Sequence, residues 1–220
     1  MIKIDAMKGR LQTLKILVWR TRFFALYQDF DDRRIYLKWV RSGMPIPPPE
    51  AVKHRTVKEY AGLFGSRVFI ETGTFRGMMV NAMKDLVDEI YSIETSPAFY
   101  QQAKRVFSGE KHITILQGDS GEMIGHLLSE INRPCLFWLD AHYSGGITAR
   151  GDLETPIQRE LYHIFKDSIR HDHVILIDDA RSFCGKGDYP SIQTLKDSAM
   201  EAGLHSFEVK DDIIRICRID

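Results

Sequence analysis

The sequence predicts a doubly wound, mainly parallel α/β sheet whose last strand is antiparallel. Three observations carry this: apolar runs end repeatedly in a carboxylate, helix-period segments separate those runs, and two strand-like segments close the chain around a tight turn. The runs are Val68 to Glu71, Ile90 to Glu94, Ile113 to Asp119, Cys135 to Asp140 and Val174 to Asp179. Pro97 to Val106 and Ser120 to Ile131 have helical periodicity, so strands alternate with helices, the pattern of a largely parallel sheet. Carboxyl ends of parallel strands face one crevice, where ligands bind. The acids that close the five runs are therefore expected around one site.

The first 42 residues read as a helical extension. Met1 to Arg22 carries Lys3, Lys8, Arg10, Lys15, Arg20 and Arg22 against the single acid Asp5, interleaved with Leu11, Leu14, Ile16, Leu17, Val18 and Trp19. Such a basic amphipathic segment suits packing on the core or on a sister subunit of a homo-oligomer, a lid over the active site, or peripheral contact with a membrane surface. Gly43-Met44-Pro45-Ile46-Pro47-Pro48-Pro49 cannot be a helix interior, because proline lacks the amide donor and clashes with the preceding turn. Residues 43–55 are therefore assigned as a proline-rich connector and residues 56–220 as the main domain, with a helix from Val52 to Leu63 entering the first strand. Near the other end, Ile192 to Ala202 reads as a helix stopped by Gly203. His205 to Lys210 and Ile213 to Arg218 flank Asp211-Asp212 as two tightly joined strands.

A chain of 220 residues with 44% hydrophobic composition supports one substantial core. Thirty basic and thirty acidic residues give zero formal charge, so no specific nucleic-acid partner is expected. Cys135, Cys184 and Cys217 lack metal-ligand or redox spacing, which suits a reducing compartment. No apolar segment reaches membrane-spanning length and no signal-peptide pattern opens the sequence. The expected setting is cytoplasmic, with residues 1–22 able to touch the inner membrane surface.

The segment Glu71-Thr72-Gly73-Thr74-Phe75-Arg76-Gly77 carries the strongest functional signal. Gly73 can take dihedrals closed to other residues, and Gly77 lets the following helix sit close to a strand or ligand. Glu94 lies 23 residues beyond Glu71, where a carboxylate can accept both hydroxyls of a ribose. Together these point to a nucleotide or nucleoside crevice.

Over roughly residues 56–220 the chain resembles class I S-adenosylmethionine-dependent methyltransferases. Glu71 to Gly77 looks like the family's first motif, with Phe75 where a further glycine is common. The resemblance implies a Rossmann-like sheet and S-adenosylmethionine bound around Glu71, Gly73, Thr74, Gly77, Glu94, Asp119, Ser120 and Asp140. Within that class the chain is most similar to metal-dependent O-methyltransferases acting on sugars of natural products. Asp140, Asp178 and Asp179 match that group's metal-ligand positions, which implies Mg2+, a hard cation suited to carboxylates. His142 stands where the sugar enzymes place an acid two positions after the first ligand, and histidine can serve there as the general base.

The implied activity is magnesium-assisted methyl transfer to a hydroxyl of a sugar-containing or other polar small molecule. Three alternatives stay open: a non-catalytic S-adenosylmethionine-binding scaffold, an N- or C-methyltransferase, and a nicotinamide-dependent oxidoreductase. The last is disfavoured by an incomplete three-glycine fingerprint.

Overall fold

The computed structural model describes residues 22–141 and 155–218. Two helices precede the sheet, α1 (Arg22–Arg41) and α2 (Glu50–Leu63). Strand and helix then alternate: β1 (Val68–Thr72), α3 (Met78–Met83), β2 (Glu89–Glu94), α4 (Pro97–Val106), β3 (Ile113–Gln117), α5 (Ser120–Glu130) and β4 (Leu136–Leu139). After these come α6 (Ile157–Asp167), β5 (Val174–Ile177), a 3-10 turn (Ala180–Ser182), α7 (Ile192–Glu201), β6 (Ser206–Lys210) and β7 (Ile213–Cys217).

The strands form one seven-stranded sheet in the order β3-β2-β1-β4-β5-β7-β6. Pairs from β3 through β5 are parallel, whereas β7 is antiparallel to both β5 and β6, as the sequence predicts for the last strand. Strand order reverses between β1 and β4, the switch point that opens a crevice at the carboxyl ends of an α/β sheet. The final hairpin closes through Asp211 and Asp212, both at positive φ (54° and 62°), the conformation a two-residue turn between right-twisted strands requires.

Alternation along the strands divides the core in two. Phe69, Leu136, Trp138 and Leu176 pack with Val57 of α2, Met79 and Met83 of α3 and Val106 of α4. Their neighbours Ile70, Phe137, Leu139 and Ile175 turn to the other face, against Ile124 of α5, Leu161 and Ile164 of α6 and Leu195 of α7. Near-continuous apolar strands are what a sheet covered on both faces demands.

Helix α2 begins at Glu50, two residues before the Val52 expected from the sequence. Pro49 stands outside its first turn with φ −69° and ψ 157°, and its carbonyl accepts from Val52. Helix α1 is fastened to α2 by Lys58 Nζ to Asp29 at 2.6 Å and by His54 Nδ1 to Asp32 at 2.8 Å. Trp39 donates its indole N–H to the Pro45 carbonyl at 2.8 Å, folding the connector back on the helix. Tyr27, Phe30, Leu37 and Val40 of α1 remain exposed. Among the described residues no helix is long and apolar enough to cross a membrane.

Phe137→Ala, which empties a fully buried position at the centre of β4, is expected to cost about 3–5 kcal/mol in chemical denaturation. Leu86→Ala, at a half-exposed surface position, should stay within about 0.5 kcal/mol.

Candidate functional site

The chain leaves β1 through a turn built for close approach. Gly73 has φ 86°, and a Cβ there would lie 2.7 Å from the Asp140 carbonyl oxygen, so β1 and the end of β4 pass closer than a side chain allows. Its N–H donates to the Ile93 carbonyl at 2.9 Å, which ties the turn to β2. Gly77, at φ 73°, opens α3 where a Cβ would strike the Phe107 ring at 2.7 Å. Between them Phe75 holds φ 46°, a left-handed conformation costly for a residue with a side chain. This explains why a glycine suits the position. Here Phe75 is kept by an edge contact with Phe99, ring centroids 4.8 Å apart, and by its own N–H.

That N–H donates to Glu94 Oε2 at 2.7 Å, and Ser96 N–H donates to Oε1 at 2.8 Å. Two backbone donors thus fix the carboxylate at the end of β2, and each oxygen keeps a lone pair for a further donor. Glu71 lies deeper, 2% exposed, and accepts from the Ser92 hydroxyl, itself 2.6 Å from Thr74 Oγ1. Burial pushes Glu71 well above the usual carboxylate range against the pull of Ser92, and Asp140, Glu94 and Glu50 add to the rise. Glu71 therefore braces the turn as an internal group.

Asp119 and Ser120 open α5. Asp119 Oδ2 accepts from Arg159 at 2.8 Å, and Arg159 lies across Gly121 so closely that a Cβ there would meet it at 2.9 Å. Beside it Glu160 is 1% exposed, and its Oε1 makes no hydrogen bond. Burial pushes the Glu160 carboxyl up to about 7, against the Ser120 and Thr72 hydroxyls that favour its charged form. Glu160 thus lies buried near Thr72 at the end of β1 and Ser120 at the start of α5.

The carboxylates beyond β4 and β5 have a partner the sequence reading missed. Lys53, in the first turn of α2, places Nζ 2.6 Å from Asp178 Oδ2 and 3.0 Å from Glu50 Oε1. Burial and then Asp140 push Asp178 above the usual carboxylate range, against the opposing Lys53 ammonium. Burial alone would lower Lys53, but Asp178, Asp140 and Glu50 together hold it above the ordinary lysine range. Asp179, at φ 54°, pairs instead with Arg181 at 2.8 Å, and Arg181 also pairs with Asp212. Asp178 and Asp179 thus face different cations supplied by the chain. Among the described residues no group of three His, Cys, Asp or Glu could hold a metal ion. As arranged, the set expected to bind Mg2+ does not fit it.

The fold therefore gathers Glu71, Gly73, Thr74, Gly77, Glu94 and Asp140 around one crevice, with Asp119 and Ser120 at the next helix start. His142 lies outside the described residues. Lys53, Arg159 and Glu160 went unnoticed in the sequence because each sits on a helix and reaches the site only through tertiary packing.

No protein-family model and no curated protein sequence matches the chain. Solved structures do. The O-methyltransferase TomG of Streptomyces achromogenes, involved in tomaymycin synthesis and solved with S-adenosylmethionine, is 17% identical over 89% of both chains, with a TM-score of 0.57. A putative O-methyltransferase from Klebsiella pneumoniae is 14% identical over 96% of both chains, also at 0.57. The Podospora anserina methyltransferase PaMTH1, solved with S-adenosylhomocysteine, is 16% identical over 89% of this chain and 88% of its own, at 0.54. At these identities the likeness establishes the fold, the Rossmann-like fold of class I methyltransferases.

Phe75→Gly should be more stable than Phe75→Ala by about 1 kcal/mol in denaturant titrations, since alanine keeps the left-handed penalty without the aromatic contact. Glu160 gives a pH signature. Its folded value of about 7 lies above its ordinary 4.5, so its contribution is fully present below the ordinary value and is lost as pH rises through about 7. Between about pH 5 and pH 8 the wild type should lose up to roughly 3 kcal/mol relative to Glu160→Gln, compared by denaturation at each pH.

Proposed function

We propose that the protein is an S-adenosylmethionine-dependent O-methyltransferase acting on a hydroxyl of a sugar-containing or other polar small molecule. The observation that carries this reading is Glu94, a carboxylate clasped by two backbone amides beside the Gly73 turn at the switch point of a class I methyltransferase fold. Its remaining lone pairs suit the two hydroxyls of a ribose. Gly73 and Thr74 offer close backbone approach, Gly77 opens α3 beside them, and Asp119 with Ser120 border the adenine end. Glu71 supports the turn from below, and Asp140 closes the methionine end.

Bound there, S-adenosylmethionine supplies an electrophilic methyl group. The chain's own work is to hold the acceptor oxygen in line with the methyl carbon, opposite sulfur, and to remove its proton. We assign proton removal to His142, two residues past Asp140, whose neutral imidazole can accept it near neutral pH. Fixed charge at the strand ends then meets the changing charge of the reacting groups without reorganisation. A magnesium-assisted form would require Asp178 and Asp179 to exchange Lys53 and Arg181 for the ion, so their ion pairs favour the form without metal.

Calorimetry should show S-adenosylhomocysteine binding and no NAD binding. In Glu94→Gln the affinity should fall by about ten-fold or more, since a charged acceptor is worth about 1.5–3 kcal/mol per hydrogen bond. NAD binding without S-adenosylhomocysteine binding would reverse the reading in favour of an oxidoreductase. Labelled-methyl transfer to nucleotide sugars, glycosides and polar phenols identifies the acceptor. His142→Ala should abolish most transfer while leaving cofactor affinity intact, and robust transfer by that variant would remove His142 as the base.

A further inference from the structure

The carboxyl ends of β4 and β5 carry Asp140 and Asp178, positions at which the resemblance to metal-dependent O-methyltransferases implies a divalent cation. Asp178 is a costly group: its side chain is 1% exposed and neither carboxylate oxygen makes a hydrogen bond, so its charge is met only by an ion pair. A buried carboxylate of this kind needs a cation or a proton. The chain supplies the cation. Pro49 starts α2 at Glu50, and the buried residues Ala51, Val52, Thr56 and Val57 seat its first two turns against the sheet. That seating brings Lys53 over the ends of β4 and β5, with its side chain only 12% exposed and Nζ 2.6 Å from Asp178 Oδ2. Glu50, one turn earlier on the same helix, holds the ammonium from the other side at 3.0 Å. Two carboxylates thus face an ammonium that has three protons to give, with Asp140 close enough to stabilise its charge.

We propose that the Lys53 ammonium is the resident cation of this crevice, occupying the coordination space at Asp178 that a divalent metal ion would otherwise take. A metal ion must compete with a positive charge tethered to a packed helix and already desolvated with its partner. Under the methyltransferase reading, this makes the acceptor site metal-independent, its fixed positive charge delivered by α2. The assignment of the cation itself stands without that reading.

Manganese binding tests it directly, using electron paramagnetic resonance of the chelator-stripped full chain with neither cofactor nor acceptor present. Wild type and Lys53→Arg, which keeps the charge, should leave the free Mn2+ signal undiminished. Lys53→Gln uncovers Asp178 and should bind the ion on the order of ten-fold or more tightly than wild type. Circular dichroism of each variant establishes that the fold persists. Tight binding by the wild type would overturn the proposal whatever the variants do, and so would a folded Lys53→Gln that binds no better than wild type. Failure of the methyltransferase reading would show instead as absent S-adenosylhomocysteine binding, a measurement this titration does not share.

Discussion

The crowding of carboxylates at one end of the sheet is the constraint on which the rest of the site depends. Glu71, Glu94, Asp140 and Asp178 come from the ends of four neighbouring strands, and Glu50 adds a fifth acid from α2. Like charges brought this close and out of water oppose folding unless each is neutralised, hydrogen-bonded or paired. Each acid meets this differently. Glu71 is pushed toward its neutral form by burial, Glu94 accepts two backbone N–H groups, and Asp178 takes Lys53. The strand ends thus keep Glu94, clasped by two backbone amides, and the Lys53 ammonium, paired with Asp178.

Packing follows from the same arrangement. Because the parallel strands are covered on both faces, adjacent residues such as Phe137 and Trp138 serve different cores, and neither face can shift without disturbing the other. The strand ends are therefore held by rigid elements, which is what a site acting through fixed charge requires. The cost is local strain at Phe75 and Asp179, both at positive φ without being glycine.

Much of this was legible in the sequence. The apolar runs located strands at 68–72 and 174–177 because a strand buried on both faces has few ways to be written other than Val, Ile, Leu and Phe, and at 113–117 because Ile113 and Ile115 alternate with exposed Thr114 along the edge strand. The Asp211-Asp212 turn was readable because only a two-residue connection fits between those strands. Glu94 and Gly73 were readable because their chemistry attaches to strand ends, which sequence locates. Lys53 was not, since a lysine at the start of a helix ordinarily faces water; only the tertiary packing of α2 brings it to Asp178. Glu160 and Arg159 follow the same logic, as their partners Thr72, Ser120 and Asp119 lie 40 to 88 positions away in the chain. The magnesium expectation rests on a resemblance in the positions of Asp140, Asp178 and Asp179, and those positions do not reveal that Lys53 and Arg181 stand beside two of them.

A crystal structure of the full chain with S-adenosylhomocysteine tests the central claim most directly. The account predicts both ribose hydroxyls within about 3 Å of the Glu94 carboxylate, the adenine beside Asp119 and Ser120, and the homocysteine end against Gly73 and Asp140. A ligand seated elsewhere, or one whose ribose leaves Glu94 held only by its two backbone amides, would contradict it.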